Sequence, residues 1–215
     1  MNIEHINTRT LSRSTMEVRV VKVISPTLLW VHLKHCNARL DELLEDINEY
    51  MKRKKDRMLL NPDYITENEV VAVPTNRGWQ RAIVIRFNEN DTVQLMLRDW
   101  GAFKRHSKYN LYRLENHFRE QSWFAIPCGL AYAGPTTRGL MWSKTTKALT
   151  KVLAENHEGW FNIIKPIKDE GALIRLSIVR KREEFARNLL QDLIDLGEVK
   201  KTSTPAVTVY PTVNL

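Results

Sequence analysis

Two side chains in this 215-residue chain combine recognition chemistry with a tight corner: Asp99 and Trp100, followed by Gly101. An indole at a corner is a flat, electron-rich platform. It can stack an arginine guanidinium or a nucleic-acid base. The competing reading is a rim aromatic packed on Phe103 or Tyr109. Asp99 reads as an Asx-type residue that holds the turn, or as a carboxylate for a ligand guanidinium. Catalytic groupings are harder to find. The histidines (His5, His32, His35, His106, His117, His157) are scattered, and Cys36 and Cys128 lie far apart in no metal-like pairing. There is no nucleophile–base motif and no phosphate-binding loop. The chain reads as a non-enzyme with no cofactor and no metal, and its thiols as reduced ones in a cytosolic protein.

These residues belong to a stretch, 69–114, that reads as a small, strongly bent antiparallel sheet. Val70, Val71 and Val73 make a β-branched run. Asn76-Arg77-Gly78 is a turn in which glycine supplies positive φ. Residues 79–87 form a second strand, with Ala82 and Val84 alternating against Ile83, Ile85 and Phe87. A polar turn at 88–91 leads to a third strand, 92–97, and then to the corner. Strands this short, joined by hairpin turns, predict a small barrel. Trp79 reads as core between two subdomains.

Upstream, residues 16–24 and 28–35 alternate as a β-hairpin that needs a sheet elsewhere to be stable. Residues 37–55 predict a helix with Leu40, Leu43, Leu44, Ile47, Tyr50 and Met51 on one face. Its early acids and late lysines suit the helix dipole. Downstream, 114–120 is a short helix packing through Leu114 and Phe118, 123–132 a buried strand and 134–139 a loop. Ser143 caps a helix whose apolar face uses Trp142, Thr145, Leu149, Val152 and Leu153. A hairpin follows, 159–167 and 172–179, turning at Asp169-Glu170-Gly171. Residues 183–196 form the last helix, with Phe185, Leu189, Leu193 and Leu196 on one side and Gly197 at its C-terminal cap. Residues 1–15 read as flexible, and 202–215 as a tail or a strand lent to a neighbour.

The chain is long enough to bury a substantial core. No apolar run approaches bilayer length, and the first residues lack a signal-peptide core. The net charge is +8. Three clusters contribute: Lys52-Arg53-Lys54-Lys55 with Arg57, Lys104-Arg105-His106 with Lys108, and Arg180-Lys181-Arg182. They are solvated faces or the footprint of an acidic partner such as RNA.

Gly78-Trp79-Gln80-Arg81-Ala82 and Arg98-Asp99-Trp100-Gly101-Ala102, at their spacing, resemble the two signature motifs of Tudor domains. The flanking order resembles the extended form, in which the Tudor barrel is inserted into a staphylococcal-nuclease-like fold. Pro127-Cys128-Gly129-Leu130, Trp142-Ser143 and Leu189…Leu193…Gly197 fit that order. The resemblance covers about residues 16–197. It implies a mainly β fold with α: a Tudor SH3-like barrel (65–114) plus a split, OB-type nuclease-like subdomain (16–57, with the connecting helix, and 115–197), flanked by a flexible N-terminus (1–15) and a C-terminal tail (198–215). Placed residue by residue, the five methylarginine-cage positions of the family fall on Pro74, Gln80, Leu97, Trp100 and Ala102. Only Trp100 is aromatic, and one ring cannot enclose a dimethylguanidinium. Nuclease chemistry needs clustered carboxylates around a cation; the Asp169-Glu170 pair reads as a turn instead.

By resemblance the chain is a scaffold or adaptor domain of a germline piRNA-pathway protein, cytoplasmic or in perinuclear granules. Its partner would be the arginine-rich N-terminal tail of a PIWI-type Argonaute, with no membrane involved. A groove of Gln80, Leu97, Asp99 and Trp100 either prefers unmethylated arginine, because a glutamine amide can receive guanidinium hydrogen bonds, or does not depend on arginine, or is vestigial. The alternatives are a single-stranded RNA-binding module and a structural or self-associating domain.

Overall fold

The computed structural model describes residues 3–11, 13–136, 141–179 and 185–205. In chain order the elements are β1 (Met16–Ser25), β2 (Leu28–Leu33), α1 (Asn37–Met58), β3 (Val70–Thr75), β4 (Gly78–Asn88), β5 (Thr92–Leu97), β6 (Ala102–Ser107) and β7 (Tyr112–Arg113). There follow β8 (Ala125–Leu130), β9 (Ala133–Pro135), α2 (Lys144–Ala154), β10 (Glu158–Ile167), β11 (Gly171–Ile178), β12 (Arg187–Asn188), α3 (Leu189–Asp195) and β13 (Val199–Lys201). The described residues form two compact units, one of 3–4 and 36–124, the other of 5–35 and 125–205.

The first unit holds an antiparallel sheet of order β6-β5-β4-β3-β7. Two strands beyond the sequence reading, β6 and β7, complete it. Period-two alternation sends the two faces of β3 into different cores. Val71 and Val73 join Ala82, Val84, Val93, Leu95, Leu111 and Ile65 inside the barrel. Val70 and Ala72 face the other way and pack with Leu40, Leu43, Ile47, Met51 and Met58 of α1. A side chain such as Ile47, fully buried, contributes about 2–3 kcal/mol of transfer free energy. Helix α1 runs three residues beyond its expected end because Met58 is buried in that cluster.

The β3–β4 turn is where the helix meets the hairpin. Gly78 adopts φ 93°, and a Cβ there would lie 2.6 Å from the Asn48 side chain of α1. Asn48 Oδ1 in turn accepts the Trp79 N–H at 2.9 Å. Only glycine satisfies both the backbone angle and the close approach. Trp79 packs edge-to-face on Tyr112 at 4.8 Å, against the cluster of the barrel unit. Phe118, Trp123 and Phe124 also belong to the α1 cluster, so these residues of the 115–124 stretch pack within the first unit.

In the second unit β1, β2, β8, β11 and β10 close on themselves, because β10 pairs with both β1 and β11. This is the five-stranded OB-type ring. The β1–β2 hairpin finds its sheet through β8, with Val31 opposite Ile126. Ser143 Oγ accepts the Thr146 N–H at 2.9 Å and caps α2. The buried face of α2 is Thr146, Thr150 and Ala154, rotated from the expected one; Val152 is exposed and so is Thr145. Threonine at those positions is buried because its hydroxyls bond locally: Thr150 Oγ1 donates to the Thr146 carbonyl at 2.7 Å. The last helix begins at Leu189, where the Asn188 side chain caps it, and Phe185 and Leu196 are exposed. Gly197 has φ 75° and its N–H bonds the Ile194 carbonyl, as a C-cap requires.

The N-terminal segment is packed rather than loose. Ile3 is buried, and Thr8 is fully buried, its Oγ1 donating to the Gly171 carbonyl at 2.7 Å. Residues 133–135, expected in a loop, and 199–201, expected at the edge of the tail, pair as β9 and β13. Residues 206–215 and the 180–182 basic cluster lie outside the described residues. Among the described residues no helix is long and apolar enough to cross a membrane. Cys36 and Cys128 are free thiols, and burial pushes both up in pKa.

Candidate functional site

The corner between β5 and β6 is held from beneath by a buried ion pair. Arg81 and Asp99 are both about 1% exposed. Arg81 Nε donates to Asp99 Oδ2 at 2.9 Å and Nη2 to Oδ1 at 2.7 Å. The remaining donors go to the carbonyls of Phe118 (3.0 Å), Gln121 (2.7 Å) and Ser122 (3.1 Å). All five guanidinium N–H groups are thereby satisfied. The Trp123 ring lies 4.7 Å from the guanidinium carbon. Asp99 Oδ1 also accepts the Phe124 N–H at 3.0 Å. Its carboxylate is therefore buried and committed inward to Arg81. The turn itself is closed by the backbone, Trp100 N–H to the Leu97 carbonyl at 2.9 Å. The signal for this role was available, since Arg81 and Asp99 occupy the two motifs that mark the stretch.

Gln80 also has a different role from the expected one. It is 2% exposed, and its Oε1 accepts the Trp100 Nε1–H. The amide fixes the indole; it does not reach a ligand. Leu97 and Ala102 are cross-strand partners flanking the corner, and Pro74 lies opposite Trp79 on the β3–β4 hairpin. These three and Trp100 are half-buried. The described rim is thus one indole with three small or aliphatic neighbours. Its side chains carry no carboxylate or amide acceptor directed outward.

A residue that sequence reasoning did not single out completes the site. Arg77, exposed on the β3–β4 turn, places its guanidinium carbon 5.4 Å from the centroid of the Trp100 ring. Thr75 shapes that turn: its Oγ1 accepts the Arg77 N–H at 3.1 Å and donates to the Gly78 carbonyl at 2.8 Å. No spacing rule flags such a residue, because its importance lies in a through-space stack.

Comparison with known proteins agrees with this geometry. The family model "Tudor domain" matches residues 11–132, more than half of the chain. Human RING finger protein 17 is 26% identical over 134 residues, covering 62% of this chain and 8% of that protein. The chain spans between 8% and 26% of the length of the curated relatives it matches. Among solved structures, extended Tudor domain TD3 of mouse TDRD1, in complex with a MILI peptide containing dimethylarginine, superposes with a TM-score of 0.80 at 16% identity, covering 94% of this chain and all of that one. The Drosophila melanogaster Papi extended Tudor domain (D287A), in complex with an unmodified Piwi N-terminal peptide, gives 0.75 at 19% identity, with coverage of 88% and 100%. These likenesses establish the extended Tudor fold. Tudor domains are interaction modules rather than enzymes. With a barrel whose two motifs are joined by the Arg81–Asp99 pair, and a family match over residues 11–132, the chain belongs to the Tudor domain family.

Proposed function

We propose that this chain is a non-catalytic peptide-binding module whose Trp100 ring stacks an arginine of an arginine-rich tail, of the kind found at the N-terminus of PIWI-type Argonautes, without selecting for methylation. The observation that carries the proposal is the stack of Arg77 on Trp100 at 5.4 Å. It supports the indole face as a place for an unmodified guanidinium. Symmetric dimethylation removes hydrogen-bond donors and adds apolar surface that several rings must enclose to reward it. Here the flanking positions are Pro74, Leu97 and Ala102, so a single ring contributes about 0.5–1 kcal/mol at an exposed site whichever form is bound. The unmodified Piwi peptide seen with the Papi domain is consistent with such a mode in a related fold.

Calorimetric titration with one arginine-rich Argonaute tail peptide, unmodified and symmetrically dimethylated, tests the proposal. Affinities within about threefold of each other are expected, since the two forms differ by less than one cation–π contact. Trp100→Phe, which keeps a ring, retains more binding than Trp100→Ala. A dimethylated peptide that binds tenfold more tightly, or a failure of both forms to bind, overturns it.

A further inference from the structure

The three basic clusters have different fates. The first lies on the solvated side of α1, where Lys52 pairs with Glu49 at 2.6 Å. The third is outside the described residues. The second is divided by its own strand. Lys108 is engaged by Asp91 at 2.8 Å. His106 is half-buried, and its pKa is lowered by burial and then by Lys104. Arg105 is exposed, and among the described residues no carboxylate pairs with it.

The sheet register gives Arg105 a companion. It lies opposite Gln94 on β5, and Gln94 lies opposite Arg86 on β4. Paired residues share a face, so two guanidiniums stand on one side of the sheet with a neutral amide between them. Strands are spaced about 4.8 Å apart, which sets the two backbones about 10 Å apart. Arg86 is exposed too and has no carboxylate partner among the described residues. Arg86 and Arg105 both line an open pocket of about 430 Å³ with Phe87, Asn88, Glu89 and Asn90. Asn88, two residues from Arg86, has a buried Nδ2 with no hydrogen-bond partner. Glu89 is the one acid of the lining, and it is exposed.

One aromatic ring shares the face of these charges. Phe103, two residues before Arg105 on the same face of β6, is 48% exposed, whereas Phe87, 39% exposed, follows Arg86 on β4 and belongs to the other face of the sheet. Large apolar rings left in water next to unpaired guanidiniums are the elements of a single-strand platform: cations follow the phosphates and rings stack the bases. The charge excludes a basic occupant. The Phe103 ring distinguishes this patch from a plain solvated face.

We propose that the β4–β5–β6 face binds single-stranded nucleic acid, with Arg86 and Arg105 on successive phosphates and Phe103 stacking a base. The patch is three register steps, about 10 Å, along the hairpin from the Leu97–Ala102 pair, so it is separate from the Trp100 rim.

Fluorescence anisotropy with a labelled oligouridylate of about 12 nucleotides, a length within the site sizes of small barrels, provides the test. Arg86→Gln with Arg105→Gln is expected to lower affinity about tenfold and to reduce the slope of log K against log salt by about 1.4, each single-strand phosphate contact contributing about 0.7. Phe103→Ala is expected to weaken binding with the slope unchanged. Both variants alter exposed side chains, and an unchanged thermal midpoint shows that the fold is intact. Equal binding by parent and double variant overturns the proposal. So does tighter binding of a duplex of the same length, or binding of polyglutamate in place of the oligonucleotide.

Discussion

Asp99→Asn distinguishes a buried lock from a ligand carboxylate. In the parent, Asp99 accepts hydrogen bonds from Arg81 Nε at 2.9 Å, from Arg81 Nη2 at 2.7 Å and from the Phe124 N–H at 3.0 Å. The amide keeps the shape but sets an NH₂ group against donors, so at least one of those bonds is lost. The substitution also leaves the Arg81 cation, about 1% exposed, without its counter-charge. Neutralising one partner of a buried pair costs about 3–5 kcal/mol. Three backbone carbonyls and the Trp123 face still surround the guanidinium. They put the expected loss near the lower end, about 3 kcal/mol. Urea unfolding followed by tryptophan fluorescence reads it as a lower midpoint at unchanged slope. The double variant Arg81→Met with Asp99→Leu removes both charges and is expected to recover most of the loss. A stability change within about 0.5 kcal/mol, the range of ordinary surface substitutions, would refute the lock, above all if peptide binding fell at the same time.

Arg77→Ala removes the internal occupant of the Trp100 ring, and an exposed cation–π contact of about 0.5–1 kcal/mol corresponds to a two- to fivefold gain in affinity for an arginine peptide, measured by calorimetry. A loss of affinity would make Arg77 a support for the ring rather than a competitor. Gly78→Ala meets both a φ of 93° and a contact at 2.6 Å with Asn48, and is expected to destabilise the chain by about 1–3 kcal/mol in the same urea assay. His106 has a folded-state pKa held below its ordinary 6.5, mainly by burial. The unfolded chain therefore takes up a proton at a higher pH than the folded one. Stability from this residue is full above about 6.5 and declines as pH falls through that value, and His106→Gln flattens this part of the profile.

The fold was legible where local rules agree with packing. Gly78 at the hairpin turn, Ser143 and Gly197 at helix ends, and the β-branched run of Val70, Val71 and Val73 all carried one meaning. It was less legible where a side chain's role depends on a distant partner. Thr146 and Thr150 are buried because their hydroxyls are satisfied within the helix and by Glu198, which residue type alone does not reveal. The short strands β6, β7, β9 and β13 have weak patterns of their own and are defined by the strands beside them. At the site, Gln80, Asp99 and Trp100 were found by position, yet two of the three face inward, and Arg77 left no trace in spacing.

That split follows from strand geometry. Gln80 and Arg81 are neighbours on β4, so they point to opposite sides. Asp99 and Trp100 are neighbours at the corner, and each meets one of them: Asp99 meets Arg81, Trp100 meets Gln80. Two cross-links, one ionic and one neutral, thus tie the same two segments. The ionic link is buried in the unit and determines where the corner sits. The neutral link only orients the ring above it. A change at the rim, such as an amide in place of an aromatic at residue 80, leaves the ionic link untouched. The Arg81–Asp99 pair accounts for a motif that identifies the fold, while the rim residues can vary without disturbing it. Asp99→Asn should therefore unfold the corner, whereas Gln80→Met should release the indole at little cost to the barrel. Comparing their urea midpoints with their peptide affinities measures how far the two functions of the motif are separable.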